Sequence, residues 1–436
     1  MYENLIKYFE NKSILILGFG KEGQSTYNFL RRFYPKKQLA IADKRELDLS
    51  DENIIYHTGE KYLDSINEYD IVMQSPGISL RDVNINQNTE ITGQMDLFLR
   101  FAECTKIGIT GTKGKTTTTT LVYNIVKASG KKCALLGNIG IPVFESLDET
   151  DNLIAVIEMS CHQLEFAKKS PDISIMTNIY PEHLDHYNGF EGYVSAKLNI
   201  VNHQNDNNYF IYNSDQNELI NLLDFKNIKS NLIPVSRFDC ENDIFLKKLT
   251  TLNNNLKGFH THQDIFFAVQ VARCLDIDND SIEKGILSFE PIAHRMENVG
   301  TWKDVTFYND SIATIPHAVM CAINALEKVD TLIFGGMDRG IDYTDFITDL
   351  NNSKINNLIG LPETGEKIIR ELQKINCTKN LIIVDTMDEA IENAYKFTEK
   401  GKICLFSPAA SSYNRYKNFE EKGNHFKTLA KELGQL

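Results

Sequence analysis

A glycine-rich loop between an apolar run and a threonine-rich segment constrains the fold of this 436-residue chain more than any other feature. The sequence GITGTKGKTTTTTL occupies residues 108–121, and its first three residues are the end of the apolar run CTKIGIT at 104–110. Gly111 and Gly114 free the backbone to wrap around an anion, and the helix expected after them presents its N-terminal amides at the same place. A strand, a loop and a helix in this order predict an α/β fold with a phosphate-binding loop.

The side chains that end the loop fit phosphate chemistry. Lys115 can reach the β- and γ-phosphate oxygens of a nucleotide, and the hydroxyl of Thr116 can bind Mg²⁺. The loop departs from the Walker A pattern, because Ile109 stands where that pattern requires glycine. A Gly-Lys-Thr sequence also occurs in purely structural turns, but the strand before it and the helix after it favour phosphate binding.

Apolar runs of strand length alternate with helical patterns along the whole chain. The expected strands outside the loop region are SILILG (13–18), LAIAD (39–43), YDIVMQSPG (69–77), NLIAVIEMS (152–160), DISIMTNI (172–179), VTFYND (305–310), TLIFGG (331–336), NLIIVD (380–385) and KICLFSPAAS (402–411). The expected helices include residues 23–33, 316–328, 363–375 and 387–399. The alternation predicts an α/β chain of three domains, at residues 1–100, 101–296 and 297–436.

The first domain carries a second glycine loop. The sequence LGFGKEGQS places Gly18, Gly20 and Gly23 in G-x-G-x-x-G spacing after a strand, with Asp43 and Lys44 at the end of the next strand. Glycines with this spacing let the backbone approach a diphosphate at a helix N-terminus. From this motif alone a nicotinamide dinucleotide remains possible, and so does a tight turn that binds nothing.

Ionisable side chains follow the strands of the expected second sheet. Glu158 ends one strand at the edge where open α/β sheets bind ligands, and a carboxylate there suits Mg²⁺. His183, Asp185 and His186 follow the next strand, where hydrogen bonding is as good an interpretation as metal ligation. Lys197 falls on a helix, and residue chemistry alone predicts a solvated surface lysine.

Composition narrows the class of partner. The net charge of −13, from 46 Lys and Arg against 59 Asp and Glu, argues against binding to nucleic acid or to anionic membranes. No run reaches about 18 apolar residues, and the first residues carry charges where a signal peptide needs an apolar stretch. The eight cysteines lack C-x-x-C spacing, which is typical of reduced thiols. We therefore expect a cytoplasmic protein that binds small molecules and does not insert into membranes. A monomer is the expected oligomeric state, which composition does not determine.

Taken together, several motifs resemble the ATPase core of the Mur ligases, which build the peptide stem of bacterial peptidoglycan. The motifs are TGTKGKTTTTTL, GNIG (137–140), IEMSCHQLE (157–165), NIYPEHLDHY (178–187), GYVSAKLNIV (192–201), AHRMENVG (293–300), NDSIAT (309–314), GGMDRGIDY (335–343) and SPAASSYNRYKNFEEKG (407–423). They cover nearly the whole chain, and the shortened glycine loop is the form that the family uses. The N-terminal glycine loop and the C-terminal motif most resemble the branch of the family that adds D-glutamate as the second residue of the stem.

The resemblance implies a fold and a reaction. It implies a Rossmann-like UDP-binding domain, a central P-loop-type ATPase domain and a Rossmann-like C-terminal domain that binds the amino acid. In the reaction that it implies, ATP phosphorylates the carboxylate of UDP-N-acetylmuramoyl-L-alanine. The amine of glutamate then attacks the acyl phosphate, and the tetrahedral intermediate collapses with loss of phosphate.

The resemblance also assigns roles to residues. For ATP binding it implies Gly111, Thr112, Gly114, Lys115, Thr116, Thr117, Asp264, Arg295 and Asp310. For the UDP substrate it implies Gly18, Lys21, Glu22, Asp43, Lys44, Asn138, Ser160, Gln163 and His183. For the incoming amino acid it implies Thr314, Arg339, Ser412 and Phe419. Two Mg²⁺ ions are expected on Thr116, Glu158, His183 and Lys197, the last as a carbamate, and the catalytic residues are Lys115, Glu158, His183 and Lys197.

The chain departs from the family pattern at a few positions. Lys113 replaces the usual Asn of the loop, and Thr261 and Asp264 replace a usual Asn pair. Asn414 replaces a usual Asp, and Ile312 stands where the D-glutamate branch usually has Lys. The loss of that lysine removes a cation near the amino-acid pocket, so the L-glutamate-adding variant of the ligase remains an alternative.

Two further classes compete with the ligase. A nicotinamide-dependent oxidoreductase would use the N-terminal glycine loop but leaves Lys115 and Glu158 without a task. A nucleotide-binding scaffold without catalysis would be expected to have a broken loop, whereas Lys115, Thr116, Glu158 and His183 are all present. The sequence therefore favours the ligase.

Overall fold

The computed structural model divides the chain into two compact units, Met1–Phe289 and Glu290–Leu436. The residues that it describes are 2–138, 143–145, 153–184, 186–253, 256, 259–290, 293–326, 328–338, 341–412 and 415–435. Three residues singled out from the sequence, Asp185, Arg339 and Asn414, lie outside these ranges.

The first unit begins with a parallel five-stranded sheet in the order β3-β2-β1-β4-β5. Its strands are β1 (Ile14–Leu17), β2 (Leu39–Asp43), β3 (Ile54–Thr58), β4 (Ile71–Gln74) and β5 (Glu90–Thr92). Its helices are α1 (Tyr2–Phe9), α2 (Lys21–Phe33) and α3 (Gln94–Phe101), with a 3₁₀ turn at Ile66–Glu68. The residues of β1, β2 and β4 are buried throughout, as expected for parallel strands covered on both faces.

A parallel six-stranded sheet in the order β11-β10-β9-β6-β8-β7 completes the first unit. Its strands are β6 (Thr105–Thr110), β7 (Cys133–Gly137), β8 (Ile154–Glu158), β9 (Ile173–Met176), β10 (Tyr209–Asn213) and β11 (Asn231–Val235). Its helices are α4 (Lys115–Ala128), α5 (Cys161–Leu164), α6 (Gly189–Leu198), α7 (Asn217–Leu222), α8 (Arg237–Asn242), α9 (Ile244–Leu252), α10 (Phe259–Cys274) and α11 (Asn279–Leu287). Strand β6, which leads into the glycine loop, lies between β9 and β8, so residues that follow these three strands meet at one edge.

The second unit holds a six-stranded sheet in the order β12-β13-β17-β14-β15-β16, parallel except for the β12–β13 pair. Its strands are β12 (Glu297–Trp302), β13 (Val305–Asn309), β14 (Val329–Phe334), β15 (Asn357–Gly360), β16 (Asn380–Ile383) and β17 (Ile403–Phe406). Its helices are α12 (Pro316–Ala325), α13 (Thr344–Asn352), α14 (Thr364–Lys374), α15 (Met387–Phe397) and α16 (Phe419–Gln435).

The predicted α/β class is confirmed, and each sheet falls within one of the three predicted domain ranges. The two sheets of the first unit share a hydrophobic cluster that includes Ile16 and Leu136, which explains why they form one compact unit. The helix predicted from residue 23 begins two residues earlier, at Lys21. The residue before it, Gly20, has an extended backbone. The exact domain boundaries stay predictions.

Close packing fixes the helix that follows the glycine loop. A Cβ atom at Gly285 of α11 would lie 2.5 Å from Cα of Ile125 in α4. The two helices therefore approach at a distance that any larger residue at 285 would prevent, and the buried face of α4 includes Leu121 and Val122. Among the helices that the structure describes, none is both long and apolar enough to cross a bilayer.

Candidate functional site

The glycine loop takes a conformation that requires its glycines. Gly111 has a φ of 151° and Gly114 a φ of 81°, both in the region that side chains disfavour. A Cβ at Gly111 would overlap the hydroxyl oxygen of Thr177, and one at Gly114 would lie 2.6 Å from Oδ1 of Asp264. The loop therefore wraps tightly before α4, as the sequence predicts for a phosphate-binding turn.

Two lysines share one carbonyl of this loop. The Nζ atoms of Lys115 and Lys197 each donate a hydrogen bond of 2.9 Å to the carbonyl oxygen of Gly111. Lys115 also donates to the carbonyl of Thr112 at 3.0 Å, and Lys197 lies 3.4 Å from Oγ1 of Thr110. The loop thus brings the amino groups of two lysines to one backbone carbonyl.

Lys197 is buried rather than solvated, with only 2% of its surface exposed. Its ammonium lies 5.0 Å from the centre of the Tyr193 ring, one turn earlier on α6. Burial, and after it the positive charge of Lys115, lowers the pKa of Lys197 to about 7. The prediction of a solvated surface lysine from residue chemistry alone is wrong, because the Lys197 side chain points from α6 to the glycine loop.

Glu158 ends β8 with an oxygen that lacks a partner. The residue is 1% exposed, and its Oε1 accepts a hydrogen bond of 2.6 Å from Nδ2 of Asn138, which is itself an exposed residue. Its Oε2 is buried and has no hydrogen-bond partner among the described atoms. A buried unpaired carboxylate oxygen is unusual and fits a site for a cation.

Within the described ranges, no three His, Cys, Asp or Glu residues lie close enough together to bind a metal ion. A cation at Glu158 would therefore need other oxygen donors. The donors that the resemblance implies are the hydroxyl of Thr116, which is 2% exposed at the start of α4, and a carbamate on Lys197.

His183 belongs to a cluster of histidines that the sequence motifs only partly indicated. It is exposed, has a φ of 54°, and lies with its ring 4.9 Å from that of His162. The ring of His162 is 4.3 Å from that of His186, whose Nε2 lies 2.9 Å from Oε2 of Glu165. His162 was missed, although its position beside Gln163 in IEMSCHQLE could have indicated it.

Lys113, which departs from the family pattern, forms an ion pair. Its Nζ donates to Oε1 of Glu182 at 2.7 Å, and its backbone N–H donates to Oδ1 of Asn178 at 2.8 Å. The hydroxyl of Thr177 donates to the carbonyl of Lys113 at 2.6 Å. The tip of the loop is therefore fastened to the segment that follows β9.

The remaining threonines and Asp264 support the loop. Oγ1 of Thr118 donates to Oδ1 of Asp264 at 2.9 Å, which places the carboxylate beside Gly114. The hydroxyls of Thr112 and Tyr193 are 2.9 Å apart, which joins the loop to α6. Thr117 is half-buried in the first turn of α4.

Residues predicted to bind the UDP substrate come together from both sheets of the first unit. The backbone N–H and hydroxyl of Ser160 both donate to Oε1 of Gln163, at 3.1 and 3.3 Å. Nε2 of Gln163 donates to Oε1 of Glu22 at 3.3 Å. Burial raises the pKa of the Glu22 carboxyl to about 7.

The N-terminal glycine loop is tight at two of its three glycines. Gly18 has a φ of 85°, and a Cβ at Gly23 would overlap the carbonyl oxygen of Gly18. A Cβ at Gly20 would meet nothing within 4 Å, and Lys21 beside it is exposed. The loop thus leaves open space at its tip, where a ligand could approach the backbone.

Asp43 binds the backbone of the loop and the guanidinium of Arg45, a residue that the sequence motifs did not indicate. Its Oδ2 accepts hydrogen bonds from the backbone N–H of Phe19 at 2.8 Å and from Nη2 of Arg45 at 2.9 Å. Hydrogen bonds from the Arg45 guanidinium hold the pKa of Asp43 at about 2. The exposed Lys44 instead forms an ion pair of 3.2 Å with Glu60.

In the second unit, Asp310 follows β13 and is buried. It accepts hydrogen bonds from the backbone N–H of Met296 at 3.1 Å and from the hydroxyl of Ser407 at 2.8 Å. Burial raises the pKa of Asp310 to about 6, although both hydrogen bonds and the charge of Arg295 act in the opposite direction. Arg295 itself is exposed.

The described residues predicted for the amino acid also lie in the second unit. The hydroxyl of Ser412 is buried and has no hydrogen-bond partner among the described atoms. Phe419 begins α16, with its ring centre 6.0 Å from that of His294. Thr314 and Ile312 are half-buried.

Three family models match successive parts of the chain. The Mur ligase MurD-like N-terminal domain matches residues 12–94, the Mur ligase middle domain residues 109–272, and the Mur ligase glutamate ligase domain residues 294–410.

Full-length relatives give the same result. A UDP-N-acetylmuramoylalanine–D-glutamate ligase of Clostridium acetobutylicum is 31% identical over 461 positions, covering 99% of both chains. The enzyme of the same name from Clostridium botulinum strain Langeland is 32% identical over 457 positions, covering 99% of this chain and 98% of the relative.

Solved structures share the fold at lower identity. The MurF ligase from Thermotoga maritima in complex with ADP superposes with a TM-score of 0.58 at 15% identity, over 96% of this chain and 95% of that one. A UDP-N-acetylmuramate–alanine ligase from the same organism gives 0.58 at 17% identity, over 97% of this chain and 100% of that one.

Proposed function

The chain belongs to the Mur ligase family, and we propose that it joins D-glutamate to UDP-N-acetylmuramoyl-L-alanine in peptidoglycan precursor synthesis. It is an ATP-dependent ligase that forms a peptide bond. The relatives that are 31 and 32% identical to it over nearly their full length are named for this reaction.

The observation that carries the proposal is the position of Lys115, which begins α4 with its Nζ 2.9 Å from the carbonyl oxygen of Gly111 in the glycine loop. Transfer of a phosphoryl group to a carboxylate develops negative charge between two anions, so the protein must supply positive charge there. Lys115 provides that charge at the start of α4, where the helix N-terminus adds the partial charges of its amides.

Magnesium ions fit the oxygen donors of Thr116 and Glu158, and the ring nitrogen of His183 is a further donor that the resemblance implies. Thr116, Glu158, His183 and a carbamate on Lys197 would hold them, and the unpaired Oε2 of Glu158 supports this assignment. Bound Mg²⁺ supplies positive charge against phosphate oxygens and the substrate carboxylate. The Asn138 amide, by binding Oε1, orients the Glu158 carboxylate so that its other oxygen stays available.

Carbamylation of Lys197 is supported by its burial and by the low pKa of its amine. The unprotonated amine adds carbon dioxide and releases one proton, which leaves a carboxylate-like anion in place of the neutral amine. That anion is attracted to the positive charge of Lys115 and supplies the hard oxygen donor that Mg²⁺ prefers.

The residues that bind the substrates are assigned from the sequence motifs in which they occur and from the domain to which they belong. We propose that Gly18, Lys21, Glu22, Asp43 and Lys44 surround the uridine end of the UDP substrate. Asn138, Ser160, Gln163 and His183 would hold the rest of that substrate, and Thr314, Arg339, Ser412 and Phe419 would hold glutamate. The remaining ATP contacts would come from Gly111, Thr112, Gly114, Thr117, Asp264, Arg295 and Asp310. We further propose that the protein acts as a monomer in the cytoplasm.

Phosphate release from ATP tests the reaction. With UDP-N-acetylmuramoyl-L-alanine present, turnover should depend on D-glutamate and should be much slower with L-glutamate, D-aspartate or L-lysine. The amine must attack while the two carboxylates of the amino acid are bound, so both the charge and the chirality of the amino acid matter.

Each other outcome of that assay has a definite meaning. Preference for L-glutamate would assign the chain to the L-glutamate-adding variant, for which Ile312 in place of a cation would be the first residue to exchange. Preference for lysine would overturn the acidic substrate. Turnover without the UDP substrate would contradict the acyl-phosphate reaction.

Thermal stabilisation tests the N-terminal glycine loop. UDP-N-acetylmuramoyl-L-alanine should raise the melting temperature, whereas NAD⁺ or NADH should not, because a ligand that binds only the native state stabilises it. At a hundred times its dissociation constant a ligand contributes about 2.7 kcal/mol, which is readily measured. Stabilisation by the dinucleotide alone would favour the oxidoreductase.

A further inference from the structure

A buried lysine with no part in the proposed chemistry lies in the second unit. Lys422, in the first turns of α16, is 2% exposed. Its Nζ donates a hydrogen bond of 2.7 Å to the carbonyl oxygen of Gly335 and lies 5.7 Å from the centre of the Phe406 ring. Within the part of the chain that the structure describes, no carboxylate pairs with it.

Burying an ammonium without a counter-charge is costly, so the contact that it makes should serve a purpose. Burial lowers the pKa of Lys422 to about 7, which is a measure of that cost. A methionine of similar length would fill the same space without it.

The carbonyl that Lys422 binds belongs to a crossing of two loops, residues 335–337 and 408–411. The backbone N–H of Gly335 donates to the carbonyl of Pro408, and that of Met337 donates to the carbonyl of Ser411, both at 2.8 Å. A Cβ at Gly336 would overlap the carbonyl oxygen of Ser411 and would lie 3.1 Å from Nζ of Lys422. The ammonium therefore lies beside the tightest point of the loop crossing.

One of these loops leads directly into a residue proposed to bind glutamate. Ser412, with its buried unpaired hydroxyl, follows the 408–411 loop. This loop is held at a further point, because Ala409 has a φ of 56° and its carbonyl accepts a hydrogen bond of 3.2 Å from the hydroxyl of Tyr343. A small displacement of the crossing would therefore move the hydroxyl of Ser412.

We propose that Lys422 is a positioning residue for the glutamate pocket, which it aligns by fixing the loop crossing through the carbonyl of Gly335. The inference rests on the proposed function, since it requires that glutamate bind beside Ser412. Lys422 acts through backbone groups and does not itself contact the amino acid.

Three full-length variants test this role. Lys422→Met keeps the packing volume and removes the donor, Lys422→Arg keeps a buried cation that donates, and Lys106→Met is a matched control. Lys106 is also a buried lysine that donates to two carbonyls, of Ala102 and Cys104, but it belongs to the first unit, whereas the loop crossing belongs to the second.

We expect Lys422→Met to raise KM for glutamate about tenfold or more, since misplacing binding groups by about 1 Å costs up to about a hundredfold. KM for ATP should stay within about twofold, because the loss concerns one substrate. Lys422→Arg should restore most of the affinity for glutamate. Lys106→Met should lower the melting temperature and leave KM for glutamate unchanged.

The inference and the proposed function fail in different ways. If the wild-type protein does not turn over with glutamate, the proposed function fails before any variant is compared. If the wild type is active and KM for glutamate is unchanged in Lys422→Met, the positioning role is overturned. Should Lys422→Met not fold, Lys422→Leu replaces it, because leucine also lacks a donor, and an unchanged KM there overturns the role equally.

Discussion

Lys115→Ala should lower kcat by about a hundredfold to a thousandfold and leave the fold intact. Removing one preorganised group that stabilises developing charge costs this much in enzymes. The side chain is only half-buried and donates to the carbonyls of Gly111 and Thr112, so its loss removes a charge and two hydrogen bonds rather than part of a hydrophobic core. Steady-state phosphate release with saturating substrates measures the effect, and circular dichroism verifies the fold.

The neighbouring lysine provides the control. Lys113 lies two residues earlier, but its ammonium is paired with Glu182 at 2.7 Å. Lys113→Ala should therefore reduce kcat far less than Lys115→Ala. Near-normal turnover of Lys115→Ala would remove this loop from phosphoryl transfer.

Lys197→Ala should be almost inactive and should recover part of its activity in acetate or formate. The substitution opens a cavity beside Gly111 that is lined by Thr110 and the ring of Tyr193. A small carboxylate that enters this cavity restores the anionic oxygens of the proposed carbamate, whereas chloride at the same ionic strength does not. The measurement is kcat as a function of carboxylate concentration.

A buried lysine elsewhere separates chemistry from packing. Lys106→Ala also removes a buried ammonium, and its activity, whatever its level, should not respond to acetate or formate. A fully active Lys197→Ala would show that the side chain has no catalytic task. An inactive variant that no carboxylate rescues would argue against the carbamate.

Features with a local physical cause could be predicted from the sequence. The strand before the glycine loop follows from its apolar run, and the loop conformation follows from Gly111 and Gly114, because few other residues adopt their backbone angles. The position of Glu158 at the end of a strand was predicted correctly from the apolar run before it, and its place in a ligand site stays a prediction.

Features that depend on contacts between distant residues could not be predicted in this way. Lys197 is buried together with Tyr193, Val194 and Ala196 of the same helix, so no polar face in the sequence indicates where its side chain points. Lys422 reaches a carbonyl 87 residues earlier in the chain, and its sequence neighbours are those of an ordinary charged helix. Such pairings are set by the packing of complete domains.

The division of the chain at Phe289 and Glu290 has a consequence for cooperativity. Each unit has hydrophobic clusters of its own, which include Leu121 in the first unit and Phe334 in the second. Chains with separate cores commonly depart from a single all-or-none transition, so we expect one unfolding transition for each unit. A ligand raises the unfolding temperature of the unit that binds it, so the UDP substrate should raise that of Met1–Phe289. The substitution Lys422→Met should change the unfolding temperature of Glu290–Leu436.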